Sequence, residues 1–391
     1  MTTPHLIDLW ASQRHYADHV RPIWEELTRR GVPARLLVPA GRDWHTDAGE
    51  EYAERVPPQL WEATGPILAA GYGDARSALA VSSRPVALWN HGSGQTFQGS
   101  HPSYSGGGDR SRIALFLEPG PHAAEATRRS LPAAAVVKCG PAKLDRYRNR
   151  PKPPTVDGRP VVALAWHWRC KVAPETQPAI DDWRGEVLRL HATGRYHLIG
   201  HGHPRAWAEY EPWYREHGIE PVRDFAEVLD RAHLLVQDGS SVGYEFAAVT
   251  GPVLCLNAGT YRRDVEHGLR FWDAPPGPLL WPGDDLVSAV ERALAYPPEH
   301  RAIRNRGIAR AYGDWDGDGA ARAADALDAL RIAGDPGPFE VTSPRGTATV
   351  TPEIWDLIAD GVLIRQAGSV ALVSRQEYGG RWAPQGWRRA Q

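Results

Sequence analysis

The residues best suited to phosphate chemistry stand where a short apolar run ends. A predicted strand at 233–237 is followed by Asp238 and a glycine, and Ser240 and Ser241 then begin a predicted helix. The first N–H groups of a helix lack partners within the helix, and its N-terminus carries a partial positive charge, so such a turn suits a phosphate. Serine is also an ordinary helix N-cap, which is the alternative interpretation of this motif.

Three side chains near this turn extend the predicted donor site. Asp238 and Glu245, the latter one turn into the same helix, can accept hydrogen bonds from ribose hydroxyls, although a helix glutamate can equally face solvent. His203 follows a predicted strand at 196–201 and precedes Pro204, which suits the first turn of a helix. A histidine there can present a ring N–H to a diphosphate, whereas a lone histidine is more often structural.

His91 is the candidate for proton transfer. It follows a predicted strand at 85–90 and precedes a Gly-Ser-Gly turn. Because the unperturbed pKa of histidine lies near 6.5, this side chain suits a general base at neutral pH. The alternative is a loop histidine that caps the next helix. In that case His101 and Asp109, in the following Ser/Gly-rich loop, are the next candidates for the base.

Weaker candidates lie near two other strand ends. Arg169 comes just after a predicted strand at 160–166, where a guanidinium can bind phosphate through two hydrogen bonds. Lys143 and Asp145 stand near the end of the first half of the chain, where they can form either a hinge or a binding loop. No metal site is predicted, because the acidic pair at 284–285 is better explained as a helix cap.

The elements that must position these residues alternate between strand and helix. Predicted strands lie at 5–10, 34–40, 66–70, 85–90, 112–118 and 134–140, then at 160–166, 196–201, 233–237 and 252–257. The clearest helical patterns lie at 16–30, 179–193, 204–217, 241–250, 284–295 and 301–333. This alternation predicts parallel sheets that are covered on both faces, with ligands at the carboxyl ends of the strands.

Breaks in the pattern divide the chain. A stretch rich in proline and charge at 147–160 predicts a linker between a first lobe at 1–146 and a second, nucleotide-binding lobe at 161–333. A Gly/Pro break then precedes a small α+β appendage at 339–391, which we interpret as a module for acceptor or partner contact or as a cap on the second lobe. The predicted fold class is therefore α/β, with two Rossmann-like lobes of the GT-B type.

Composition argues for an ordinary globular protein. Of the 391 residues, 42% are hydrophobic and 24% charged, and the net charge of -2 gives no general attraction to nucleic acid or anionic membranes. Three widely spaced cysteines predict neither a disulfide framework nor a zinc site. No apolar run approaches the roughly 20 residues of a membrane span, and the N-terminus lacks the pattern of a signal peptide, so we expect a cytoplasmic protein.

Five segments, taken in order, resemble motifs of the CDP-glycerol glycerophosphotransferase family, whose members prime and polymerise teichoic acids. They are Trp89-Asn90-His91-Gly92, Gly140-Pro141-Ala142-Lys143-Leu144-Asp145, Ala165-Trp166-His167-Trp168-Arg169, His203-Pro204 and Asp238-Gly239-Ser240-Ser241-Val242. The last two are the most specific. The resemblance covers roughly residues 85–300, and neither the first 80 residues nor those after 335 contribute to it.

The motifs depart from the family pattern at three places. Asn90 is inserted into a Trp-His-Gly motif, and Trp166-His167 replaces a Pro-Thr pair. The proline of the Gly-x-Pro motif is also displaced by one residue, to Pro141. These departures suggest a distant member, and they bear on the identity of the donor and acceptor more than on the fold.

The resemblance implies a transferase that moves glycerol phosphate, or a related polyol phosphate, from a CDP-linked donor to a hydroxyl acceptor. It makes His91 the general base, and it assigns the donor diphosphate to His203, Arg169, Ser240 and Ser241. Neutralising the leaving group in this way implies neither a metal nor a further cofactor. The acceptor stays open between a lipid-linked substrate, with peripheral membrane contact, a soluble one and a polymer.

Two alternatives use the same elements. One is a GT-B glycosyltransferase or related enzyme with a UDP-sugar or GDP-sugar donor, because one fold supports several chemistries. The other is a nucleotide-binding protein without catalytic activity, which the altered motif at 166–167 and the unmatched appendage favour.

Overall fold

The first lobe is built on one parallel sheet. A computed structural model describes residues 5–38, 57–93, 110–149, 151–170, 174–262 and 274–333, together with five short strands after residue 338. In the first lobe the strands are β1 (Ile7–Trp10), β2 (Ala34–Leu37), β3 (Ile67–Ala69), β4 (Val86–Trp89), β5 (Leu115–Glu118) and β6 (Ala135–Lys138), and the helices are α1 (Arg14–Arg29), α2 (Tyr72–Val81) and α3 (Pro121–Ser130). Most of the central strands are continuous apolar runs that are fully buried, as expected of a sheet covered on both faces.

The second lobe repeats this design. Its strands are β7 (Val161–Trp166), β8 (His197–Gly202), β9 (Glu220–Pro221), β10 (Leu234–Gln237), β11 (Val253–Leu256) and β12 (Leu279–Leu280). Its helices are α4 (Ile180–Ala192), α5 (Trp207–Glu216), α6 (Phe225–Arg231), α7 (Val242–Val249), α8 (Leu286–Ala295) and α9 (Pro298–Ala311). The helix α10 (Gly319–Ala333) follows them in the chain. The predicted α/β class with two Rossmann-like lobes is confirmed.

The strand order sets where a ligand can bind. The first sheet runs β2-β1-β3-β4-β5-β6 and the second β12-β11-β10-β7-β8-β9, with parallel pairing throughout both. The direction of winding reverses between β1 and β3 in the first sheet and between β7 and β10 in the second. Crevices form outside the carboxyl ends of strands at such reversals, so the order predicts one crevice in each lobe.

The last helix of the described lobes differs from its predicted position. Residues 301–333 were expected to be helical within the second lobe, but α9 ends at Ala311 and α10 begins at Gly319. Ala323, Ala324 and Leu327 of α10 are fully buried in the apolar core of the first lobe, against α1. The chain therefore returns to the first lobe near its end, because the apolar face of α10 completes that core.

The strands after residue 338 form small antiparallel units. They are β13 (Phe339–Ser343), β14 (Gly346–Val350), β15 (Val362–Arg365), β16 (Ser369–Leu372) and β17 (Arg388–Arg389). β13 pairs with β14 and β17, and β15 pairs with β16. Strands of the predicted α+β appendage are therefore present, while residues 351–361, between β14 and β15, lie outside the described residues.

Candidate active site between the two lobes

The turn after β4 is anchored so that His91 occupies a defined place. The side-chain amide of Asn90 donates to Glu118 at the end of β5, over 2.9 Å, and Thr127 donates to the same carboxylate over 2.6 Å. Gly92 then adopts a φ of 100°, a conformation that glycine tolerates best. A Cβ on Gly92 would lie 2.7 Å from the hydroxyl of Ser241, so glycine also lets the lobes approach closely here.

His91 is held as a neutral ring. One ring N–H donates to the backbone carbonyl of Ala70, at the end of β3, which leaves the second nitrogen unprotonated in the neutral form. Burial lowers the pKa of His91 to about 4, and the nearby charge of Lys143 acts in the same direction. The ring can therefore accept a proton at neutral pH, and it would hold that proton well only beside a negative charge.

His203 enters the site from the second lobe, with its ring centroid 5.8 Å from that of His15. The backbone N–H of Arg205 donates to Nδ1 of His203 over 3.2 Å, so the neutral ring carries its hydrogen on Nε2. That nitrogen can donate to a phosphate oxygen, as predicted from the sequence. The preceding Gly202 allows the ring of Tyr210 to pack against the strand end, since a Cβ there would lie 2.4 Å from that ring.

His201, the other histidine of the same motif, belongs to the core. It is 6% exposed, its Nδ1 lies 3.1 Å from the carbonyl oxygen of Val222, and its ring packs against Phe225 at 5.3 Å. Burial lowers the pKa of His201 to about 4. Of the two histidines in this motif, His203 is thus the one that lies in the cleft.

Asp238 joins the two strands at the reversal in the second sheet. Its carboxylate accepts from the backbone N–H groups of His167 (2.8 Å), Ala179 (3.0 Å) and Gly239 (2.8 Å). The side chain is 1% exposed, so these backbone groups, rather than a ribose, occupy it in this structure. The contacts hold the end of β7 beside the end of β10, where the predicted phosphate turn begins.

The predicted phosphate turn lies at the lobe boundary. Ser241 precedes the first residue of α7, and its hydroxyl lies 3.4 Å from that of Ser93 in the first lobe. The hydroxyl of Ser240 accepts from the backbone N–H of Val242 over 3.5 Å. Both serines are partly exposed and stand at a helix N-terminus, so a ligand anion in the cleft could reach them.

Lys143 and Glu245 form an ion pair across the lobes. Nζ of Lys143 lies 2.8 Å from Glu245, and the two side chains are only 12% and 4% exposed. Nε2 of His19 lies 3.9 Å from the other oxygen of the same carboxylate. Glu245 was predicted to meet solvent or ribose, and in this structure it instead meets a lysine of the first lobe.

Asp145 and Arg169 are engaged elsewhere. Asp145 accepts from the indole N–H of Trp315 over 3.0 Å and from the backbone N–H of Ala320 over 2.7 Å, so it holds the start of α10. Arg169 pairs with Asp181 at 2.8 Å and with Glu209 at 2.7 Å, and its side chain is 43% exposed. A phosphate at Arg169 would have to displace these two carboxylates.

Two histidines that sequence analysis did not single out complete the site. His15 and His19 lie in the first two turns of α1, directly after β1. Residues four apart on a helix share a face, and this helix follows the end of a strand. The sequence HYADH at 15–19 therefore indicates two histidines on one face near a strand end, which is the signal that could have identified them. Together with His91, His167 and His203 they form what we call the inter-lobe histidine cluster.

The rings of this cluster bridge the lobes. The centroid of His15 lies 6.3 Å from that of His91 and 5.8 Å from that of His203. His19 lies 5.9 Å from His91, and His167 lies 5.5 Å from His203. Tyr16 packs on His91 at 4.3 Å. The residues at the two predicted crevices are thus parts of one site.

We expect the free protein to lose stability as the pH falls from 6.5 toward 4. Burial holds the pKa values of His15, His19, His91 and His203 below 6.5, so the unfolded chain binds protons that the folded protein does not. Each such histidine contributes a slope of about 1.4 kcal/mol per pH unit in this window. Urea unfolding at pH 7.5, 6.5 and 5.5 measures the effect. An unfolding free energy that does not change over this range would contradict it.

The described helices include none that is both long and apolar enough to cross a membrane. Cys139, Cys170 and Cys255 are buried and unpaired. Neither a protein-family model nor a curated protein matches the sequence.

Solved structures of similar fold include a teichoic acid polymerase and sugar-nucleotide enzymes. A variant of the wall teichoic acid polymerase TagF superposes with a TM-score of 0.61 at 12% identity, over 85% of this chain and 90% of that one. A putative UDP-N-acetylglucosamine 2-epimerase from Listeria monocytogenes superposes with a TM-score of 0.58 at 14% identity, over 84% and 96%. The S. aureus MnaA–UDP structure gives 0.55 at 15%, over 82% and 95%. Identities this low concern the fold alone, and the chain has the GT-B fold with two Rossmann-like lobes.

Proposed function

We propose that this protein transfers glycerol phosphate, or a related polyol phosphate, from a CDP-linked donor to a hydroxyl acceptor. One observation carries the proposal: His91 of the first lobe and His203 of the second belong to the same cluster in the cleft. These are the histidines of two of the motifs that resemble the CDP-glycerol glycerophosphotransferase family. The fold likeness to a polymerase of wall teichoic acid, one of whose structures was soaked with CDPG, supports it as well.

His91 acts as the general base in this proposal. Its free nitrogen takes the proton of the acceptor hydroxyl while that oxygen attacks the phosphorus that bears glycerol. A new P–O bond to the acceptor forms, the P–O bond to the bridging oxygen breaks, and CMP leaves. The anionic donor would raise the pKa of His91 above its value of about 4 in the free protein, which strengthens the base when substrate is bound.

The second lobe holds the donor. Nε2 of His203 donates to the diphosphate, and the N-terminus of α7 with Ser240 and Ser241 supplies further positive potential. Such groups stabilise the charge that develops on the departing CMP, and stabilisation of this kind usually contributes more to catalysis than any other effect. Because these donors are side chains and a helix end, the proposed step needs no metal ion and no cofactor besides the donor.

Isothermal titration with CDP, CDP-glycerol, UDP-N-acetylglucosamine and a GDP-sugar tests the donor. Binding of the cytidine compounds alone, followed by a glycerol phosphate increment in product mass, is the expected result. The absence of affinity for any cytidine compound would overturn the proposal. Lipid-linked, soluble and polymeric hydroxyl compounds, with anionic vesicles for membrane contact, form the acceptor panel.

A second candidate is a sugar-nucleotide enzyme, either a glycosyltransferase or a relative. The specific reason is that UDP-N-acetylglucosamine 2-epimerases superpose about as well as TagF, with TM-scores of 0.55 to 0.58. Affinity for UDP compounds alone, with a hexose increment or a changed sugar, would favour this candidate. Binding of nucleotide without any turnover would instead favour a non-catalytic binding protein.

We expect His203→Ala to weaken donor binding and to slow transfer. The ring donates to the diphosphate before and during the reaction, so its loss affects both the ground state and the transition state. Loss of one hydrogen bond to a charged group corresponds to about a 10-fold to 100-fold fall in affinity. Calorimetry with CDP-glycerol and single-turnover rates measure the two effects. Unchanged affinity in a folded variant would remove His203 from the donor site.

A further inference from the structure

A positive environment surrounds His15 at the centre of the cleft. The charges of Lys143 from the first lobe and Arg205 from the second both act on its ring. Glu245, the carboxylate described near this group, is already paired with Lys143 over 2.8 Å. A group of neutral imidazoles beside two cations suits an anionic ligand.

The position of His15 relative to the other histidines also favours contact with a ligand in the cleft. Its ring centroid lies 6.3 Å from that of His91 and 5.8 Å from that of His203, and the residue is only partly buried. It stands in the first turn of α1, which follows β1 at the reversal in strand order of the first sheet. An anion that touches His203 in the second lobe therefore lies within reach of His15 in the first.

We propose that His15 is a further ligand of the donor's diphosphate, contributed by the first lobe. The identity of the donor in this proposal rests on the proposed function, but recognition by His15 requires only two linked phosphates. The donor is then held from both sides of the cleft, by His15 and His203.

Proton uptake follows from the electrostatics. In the free protein burial keeps the pKa of His15 and of His203 well below 6.5, so both rings are neutral at pH 7. A diphosphate beside them favours the imidazolium form and raises these pKa values. Binding should therefore draw protons from the buffer. The titratable and charged groups that face His15 or lie next to those that do are His19 and Tyr16 on α1, His91 after β4, Lys143 with Glu245, and His203 and Arg205 after β8.

Titration with inorganic pyrophosphate and with CDP at pH 7, in two buffers of different ionisation enthalpy, tests the proposal on the full chain. The wild-type protein is expected to bind both with proton uptake. His15→Asn and His15→Gln cannot titrate, so both should take up fewer protons. At least one should also bind about 10-fold to 100-fold more weakly, as expected for one lost hydrogen bond to a charged group. His15→Gln or His15→Asn, whichever places its amide nearer the phosphate, should retain more of the affinity.

His217→Asn is the matched control. His217 follows the last turn of α5 and contacts the carbonyl of Trp213. Because α5 begins beside the cleft, the end of the helix at which His217 stands lies away from the cleft. This variant should bind like the wild type. Unchanged affinity and proton uptake in both folded His15 variants would overturn this inference while leaving the proposed transferase intact. A wild-type protein that binds neither pyrophosphate nor CDP would overturn this inference and count against the proposed transferase as well. Pyrophosphate binding that depends on His15, without any binding of CDP, would uphold this inference and reject the cytidine donor.

Discussion

His91→Ala is expected to lower the rate of transfer by about 10²-fold to 10⁴-fold, the usual contribution of a general acid or base. The neutral ring donates one N–H to the carbonyl of Ala70, and its other nitrogen is the proton acceptor. Donor affinity should barely change, because His91 is assigned to the acceptor hydroxyl and not to the donor's diphosphate. Single-turnover rates with saturating donor and acceptor give the loss, and calorimetry with CDP-glycerol gives the affinity.

The pH dependence separates a base from a structural histidine. Because burial lowers the pKa of His91 to about 4, the acidic limb of the wild-type profile should lie below pH 6.5 and should be absent in His91→Ala. Asn90→Ala is a useful comparison, since it loosens the anchor to Glu118 without removing the ring. If a folded His91→Ala keeps a wild-type rate, His91 is not the base, and His101 and Asp109, which lie outside the described residues, become the candidates.

Lys143→Met is expected to lower the free energy of unfolding by about 3 kcal/mol. The change leaves the carboxylate of Glu245 in a site where it is 4% exposed, and an unpaired buried charge typically costs about 3–5 kcal/mol. We expect the lower end of that range, because His19 lies 3.9 Å away and can partly compensate. Urea unfolding followed by tryptophan fluorescence measures the loss.

The double variant Lys143→Met/Glu245→Gln is the control for this prediction. It removes both charges together, and replacing a whole buried ion pair is often close to neutral. Stability should therefore recover to within about 1 kcal/mol of the wild type. If the double variant is as unstable as Lys143→Met, the loss comes from packing of the lysine stem and not from the ion pair.

Local sequence patterns were enough to locate most of the elements. The run 160–166 has no polar residue after its proline, and a fully buried parallel strand is the element that such a run predicts. A change from apolar to polar residues marks the end of each strand. The sequence alone therefore indicates His91, His203 and Ser241 as residues at strand ends. Boundaries shifted by a few residues where 3-10 turns replaced predicted strand or helix, as at Arg110–Arg112 and Pro204–Ala206.

Local patterns of this kind do not predict which side chains pair when they lie far apart in the sequence. Lys143 and Glu245 are 102 residues apart, and nothing in the sequence near either one indicates the other. Glu245 was therefore expected to meet ribose or solvent, and Arg169 to bind phosphate. The partners of Arg169 in the structure, Asp181 and Glu209, lie 12 and 40 residues away from it. The return of α10 to the first lobe was missed because an apolar helix face does not specify which core it will cover.

The sequence by itself determined the α/β class, the two lobes and the strand ends at which His91, His203 and Ser241 stand, because periodicity and turn residues act over a few positions. Only the tertiary structure decided that these ends meet, that His15 and His19 join them, and that Asp238 and Glu245 already have protein partners. The reason is physical. Strand order and lobe packing depend on which apolar surfaces fit together, and those surfaces are assembled from residues far apart in the chain.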